Sequence, residues 1–527
     1  MSAPPQSSSR LPVRIEAEDI DYLTNLLLEQ ERPLATRTLA RRLVGEQLEA
    51  ERRALQERFR NARFYNPAEG CNTGDLLTFP ALDYATGEVV SQRPGNHPGL
   101  EPFTVIAVRF EENGRTREFA TRLNEPHALS REAGDDAHEH LGPALSVDEI
   151  LAQSGAEILE ELQDKLFATG NLVRLKDEWF VRELLLEVTV SHLNLAEAVL
   201  DVHGGGPLTT GEILEQIGGL EGPAALQEFS MNHGLLQDER FDEVGPTGTV
   251  LWFLRRMEPA EVQTTPLPLR FARLEHDRGL LDDDMLDLEA DIDDELSPLR
   301  YAGDEISGAV VTLIYPHRRL GTLPLNARLR TFFPTARQSA RVYVTLLDAR
   351  DGERYTGWIV RGARFVWGLG AFYRKYTLPV GAYVDVSRDE KAGHIVLGAR
   401  HHRPRMEWVR LITPQNNQLA FREARRAIGA NHDVLMALGA EDPGAVDALF
   451  ETTLRQRRPL THSINSALHA LLPLSPQGAV HLKTLYSAIN VIRRCPPGPL
   501  MAALVAGPEF EHVGDHYWRV ARQGQQP

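Results

Sequence analysis

The 527-residue chain carries 57 Lys+Arg against 74 Asp+Glu, a formal charge of −17, with 42% hydrophobic residues and two cysteines. This is the composition of a globular polypeptide long enough for about three to five domains. It excludes a disulfide framework and a cysteine-based zinc ribbon, and no apolar run approaches the ~18 residues of a membrane span.

Residues 1–13, rich in Pro and Ser and without an apolar core, read as a disordered tail and not as a signal peptide. Residues 14–65 predict three helices. Ile20, Leu23, Leu26, Leu27 and Leu28 give the first an apolar stripe, Pro33 ends it, a short second helix covers 36–44, and a longer third covers 46–64. That third helix interleaves Arg52, Arg53, Arg58, Arg60 and Arg63 with Glu49, Glu51 and Glu57. The arrangement resembles helix-turn-helix modules of the winged or HARE-HTH type, which implies DNA contact by Arg52 and Arg53. Charge pairs on a solvated helix face account for the same pattern equally well.

Residues 66–124 change to short strands, with turns at Pro94-Gly95 and Asn113-Gly114, and predict a small SH3-like β-barrel. The polar segment 125–142 holds Asp135, Asp136, His138, Glu139 and His140. One His-x-His with loose acids is a poor ligand set, so no metal and no other cofactor is expected.

Residues 143–185 and 186–258 each predict a winged helix. Capping boxes at Ser146/Glu149 and Thr209/Glu212 open helices, and each stretch ends in strand, turn and a Trp-bearing strand, at Trp179 and Trp252. The same ending returns at 509–520 with Trp518, so the three read as internal repeats whose tryptophans anchor a core beneath the wing. Helix 156–169 has Glu157, Glu160, Glu161 and Asp164 against Lys165, and residues 223–231 contain no base. Such helices repel phosphate, so these modules are expected to dock on protein, RNA polymerase being the candidate partner. Residues 259–307, with Asp282, Asp283, Asp284, Asp287, Asp291, Asp293, Asp294 and Glu295, read as a solvated acidic linker. Folding back on a basic surface as a DNA mimic is the alternative.

The charge then reverses: residues 311–430 hold 21 Lys+Arg and 8 Asp+Glu. Strands are predicted at 310–315, 341–347, 355–360, 365–367, 382–386 and 394–397, with short helices at 326–333 and 370–376, which together suggest a small barrel within 308–410. The runs GTLPLNARLRTFFP (321–334) and FVWGLGAFYRKYTLPVGAYVDV (365–386) resemble the DNA-binding pseudobarrel, the family of plant auxin-response-factor and some restriction-enzyme recognition domains. The family's aspartate after the glycine turn is Ala382 here. The resemblance implies duplex DNA straddled at the major groove by two loops. The matching positions are 316–320, with His317, Arg318 and Arg319, and 361–364, with Arg361 and Arg364. Arginine suits a guanine edge or a phosphate alike, and solvated surface charge is the plainer alternative. Residues 411–527 read as a helical region ending in a winged helix.

No catalytic motif emerges. His203-Gly204-Gly205-Gly206 has no G-x-S-x-G partner, no lysine follows a glycine as a P-loop requires, and there is no H-E-x-x-H. The sequence therefore reads as an α+β multidomain, non-enzymatic, sequence-preferring binder of double-stranded DNA, expected in the cytoplasm on the nucleoid as a transcriptional regulator or chromosome-associated factor. A recognition subunit of a restriction or defence system, and a scaffold on RNA polymerase, are the alternatives.

Overall fold

A computed structural model describes residues 14–58, 63–79, 82, 85–97, 101–112, 114–123, 146–301, 303, 306–336, 339–389 and 394–521. The tail 1–13 and the acid/histidine set at 135–140 lie outside these. The architecture is α+β, with several small sheets and one near-closed seven-stranded barrel. The chain divides into two compact units, residues 1–185 and 186–527. Among the described residues no helix is long and apolar enough to cross a membrane.

One module occurs three times. In each, a first helix leads through a short extended segment into a second helix, then a third, then a hairpin. The first helices are Ala17–Gln30, Val190–Val202 and Leu460–Leu471. The second are Thr36–Arg58, Thr210–Ile217 and Leu482–Ile492, and the third are Val147–Ala168, Ala224–Gln237 and Pro497–Ala506. The hairpin tryptophan pairs in each case with the residue two before the second helix: Trp179 with Leu34, Trp252 with Leu208, and Trp518 with Val480. All three indoles are buried. Trp179 Nε1 donates to Thr36 Oγ1 at 3.0 Å and Trp252 Nε1 to Thr210 Oγ1 at 3.1 Å. The third copy has Leu482 at that position, and among the described residues Trp518 Nε1 lacks a hydrogen-bond partner.

The two N-terminal modules expected at 14–65 and 143–185 are one split module. Ile20, Leu23, Leu39 and Leu43 share a core with Ile158, Leu162, Leu166 and Trp179. Between its second and third helices sits a four-stranded antiparallel meander, Leu76–Phe79, Ala85–Pro94, Thr104–Phe110 and Thr116–Thr121, built on its own core of Tyr65, Phe79, Phe110 and Phe119. The helix break expected near Gly45 is absent. A mid-helix glycine costs only about 1 kcal/mol, and here Leu39, Leu43 and Val44 bury one face of the continuous helix.

In the second unit the barrel strands run in the spatial order Gly308–Thr312, Tyr383–Arg388, Ile395–Ala399, Arg341–Asp348, Arg354–Val360, Phe365–Trp367, Thr322–Pro324. All neighbours are antiparallel except Arg341–Asp348 beside Ile395–Ala399. The Asp351-Gly352 turn joins the expected hairpin, and strand 341–348 alternates inward Val342, Val344 and Leu346 with partly solvated neighbours. Gly381 (φ +88°) turns the chain into the next strand. A Cβ there would lie 2.9 Å from the Asp433 carbonyl oxygen, so both backbone and space require glycine.

Residues 259–307 are not a solvated linker. Asp282 caps the helix Asp283–Asp291, and Leu281, Met285, Leu288 and Ile292 enter the core formed by the C-terminal helices. Their i, i+4, i+7, i+11 spacing is an apolar stripe interleaved with aspartates. Earlier in the same segment, Val262 and Leu269 join Val244 and Phe253 of the second module against Trp358, Val360 and Phe365 of the barrel.

Candidate nucleic-acid interface

The matching position of the first arm is not a loop. Residues Tyr315–Leu320 form a short helix that ends on Gly321 in the left-handed region. His317 is 0% exposed, its Nδ1 against Thr322 Oγ1 at 2.9 Å and its Nε2 against Glu295 Oε2 at 3.0 Å. Arg318 donates to the Leu378 carbonyl and lies over the Tyr373 ring. Arg319 pairs with Asp447 of the helix Pro443–Gln456 at 2.9 Å. None of the three is presented as a free arm. The second arm, 361–364, is a turn between strands. Arg361 and Arg364 are exposed, with Arg361 Nη1 donating to the Ser339 carbonyl at 2.8 Å and Arg364 Nη1 reaching the Glu295 carbonyl at 3.4 Å. Both arms thus meet the acidic segment at Glu295. Arg52 and Arg53 pair along their own helix with Glu49 at 3.6 Å and Glu46 at 2.5 Å, the arrangement of a solvated face.

Glu295 belongs to a buried ionic cluster. Arg494 Nη2 lies 2.9 Å from Asp294 Oδ2 and 2.8 Å from Glu295 Oε2, with all three side chains almost fully buried. Tyr486 Oη donates to Asp294 at 2.7 Å, and Arg494 Nη1 donates to Asn490 Oδ1 at 2.6 Å. Burial opposes the charge on Glu295, but Arg494 and then His317 hold it down at about 2. Burial raises its neighbour Asp294. The cluster ties the acidic segment, the barrel and the C-terminal module together. A second acidic convergence, Asp348, Asp351 and Glu353, has ligand atoms within 4.8 Å of one another. Lys375 Nζ sits among them at 2.6, 2.7 and 2.7 Å, so the chain supplies the cation itself.

The exposed basic surface lies at the 401–430 end of the basic stretch 311–430, away from the two expected arms. The strand His401–Ile412 pairs with Phe421–Ala430 as a long antiparallel ribbon. The domain boundary expected at 410 cuts through it. Asn416 and Asn417, at φ +50° and +60°, make the two-residue turn, a conformation that favours Asn and Gly. The ribbon is fastened at both ends: Ala430 lies in the barrel core, and Ile412 and Leu419 lie in the C-terminal core. One face carries the buried apolar side chains, Val409 and Leu411 towards the turn and Ile428 across from Arg405. The other projects Met406, 54% exposed, and Trp408, 64% exposed, with Arg425 directly across from Trp408. Six arginines (403, 405, 410, 422, 425, 426) stand against Glu407 and Glu423 on the two strands. Arg422 is bound to Glu441, and Glu407 faces His432 at 3.3 Å. Arg403, Arg405 and Arg425 are exposed and pair with no carboxylate among the described residues. The sequence signals were the Asn-Asn turn and the RMEWVRL alternation. Pro404 and charged residues on both faces masked them.

The chain matches no protein-family model, and no curated protein matches it in sequence.

Proposed function

We propose that the chain binds double-stranded DNA, and that its principal contact is the ribbon 401–430 and not the two arms. The carrying observation is the ribbon's exposed middle: Arg403, Arg405 and Arg425 have no carboxylate partner among the described residues, Arg425 lies on the same face as a tryptophan and a methionine in solvent, and Arg405 lies on the opposite face. A two-stranded ribbon fits the B-DNA major groove, guanidinium groups pair with phosphate or guanine, and apolar groups meet thymine methyls. Anchoring at both ends keeps the ribbon ordered before it binds, which lowers the entropy lost on association.

The test is duplex binding by the full chain over a range of salt concentrations. Each phosphate neutralised contributes about −0.9 to the slope of log K against log salt. The triple variant Arg403→Ala, Arg405→Ala, Arg425→Ala is expected to bind more weakly and to lose roughly one unit of slope per phosphate-contacting arginine removed. Arg319→Ala is expected to change neither, since Arg319 is held by Asp447. Wild-type slope in the ribbon variant, or slope lost in Arg319→Ala, overturns the reading.

A further inference from the structure

The second unit also holds an open cleft of about 1220 Å³, separate from the ribbon. Its walls come from the stretch 263–276, the start of the helix Pro497–Ala506 and the second arm turn, and they include Arg270, Phe271, Arg273, His276 and Arg364. The three arginines are exposed. Arg270 Nε donates to the Thr265 carbonyl at 2.9 Å, and Arg364 Nη1 reaches the Glu295 carbonyl at 3.4 Å. Among the described residues none of the three pairs with a carboxylate, whereas Arg240, Arg256, Arg278, Arg341 and Arg400 of the same unit all do. Two acids line the cleft. Glu295 is paired with Arg494 and in contact with His317 Nε2, and Glu275 remains as one exposed carboxylate against three guanidiniums.

The chemistry is therefore cationic with one aromatic face. Phe271 is half-buried and lines the same cleft as Arg270 and Arg273, as do the apolar Leu269, Leu274, Pro496 and Pro499. Among the described residues the buried His276 Nε2 has no hydrogen-bond partner. Guanidinium groups recognise phosphate in a forked geometry, and an aromatic ring offers a base a stacking platform. Clefts that bury small ligands run to about 300–1,000 Å³, so this one is large enough for a nucleotide.

We propose that the cleft binds a phosphate-bearing nucleotide, with Arg270, Arg273 and Arg364 on the phosphates and Phe271 against the base. The ligand is either a free nucleotide or the phosphorylated end of a single strand. The site stands apart from the ribbon and does not rest on it.

The experiment is calorimetric titration of the full chain with ATP, with 5′-phosphorylated hexathymidylate and with pyrophosphate. At least one of the first two is expected to bind. The double variant Arg270→Ala, Arg273→Ala is expected to weaken that binding by at least tenfold. Phe271→Leu keeps the apolar volume, and is expected to weaken nucleotide binding while leaving pyrophosphate binding unchanged. The ribbon variant is expected to bind the nucleotide as wild type does, so failure here is separable from failure of the ribbon reading. ATP binding without strand binding assigns a free nucleotide, and the reverse assigns a strand end. The proposal is overturned if neither probe binds, or if both arginine and phenylalanine variants bind as wild type does while keeping its melting temperature.

Discussion

At the scale of single residues, the buried indoles set the clearest expectation. Trp179 Nε1 has Thr36 Oγ1 as its acceptor in a fully buried setting. Thr36→Val keeps the shape and removes the acceptor, and leaving a buried donor unpaired costs about 1–3 kcal/mol. Chemical denaturation of the variant should show that loss, and a change near zero would mean that the indole finds another partner. Glu258 sets a second expectation. Burial, and then the neighbouring Asp242 carboxyl, push it up to about 8 against the pull of Arg341 and Arg255. Its pKa is raised on folding, so the folded state holds a proton that the unfolded chain releases near the ordinary glutamate value of ~4.3. The stabilisation is complete below that value and is lost as pH rises towards 8. The wild-type melting temperature should therefore fall between pH 5 and 8 relative to that of Glu258→Gln, and parallel curves would contradict the assignment.

At the scale of elements, the hairpin 341–360 was legible because its period-2 burial and Asp-Gly turn are local features. The repeats were legible in their Trp-bearing endings. The split of the first module was not, because its second and third helices are separated in sequence by the whole meander. The acidic segment was misread for a different reason. Asp294 and Glu295 look like two more solvated charges, and their burial depends on Arg494, about 200 residues away in sequence. Among the arm residues, His317 looked available only because the partner that buries it, Glu295, belongs to that same segment. Removing Arg494 takes away the guanidinium shared by two buried carboxylates, leaving Glu295 only its contact with His317 and Asp294 only its bond from Tyr486 among side-chain partners. Arg494→Met is expected to destabilise the second unit by about 3–5 kcal/mol. Denaturation should show the loss in this unit, and an unchanged midpoint would mean that the cluster is not holding the acidic segment in place.

At the scale of the whole molecule, the chain is −17 overall yet carries 21 bases against 8 acids in 311–430. Much of that basic excess is consumed internally: Arg318, Arg319, Arg341, Lys375, Arg400 and Arg422 all bond within the protein. What remains exposed and unpaired on the ribbon is the basis of the proposed DNA contact. Trp408 reports on that surface directly. Trp179, Trp252, Trp358 and Trp518 are buried and Trp367 is half-buried, so Trp408 is the one tryptophan mostly in solvent. The decisive measurement is acrylamide quenching of tryptophan fluorescence with and without saturating duplex DNA, with Trp408→Phe as the reference. The account predicts that duplex removes most of the quenching specific to Trp408. Duplex that binds while Trp408 stays as accessible as before would contradict it.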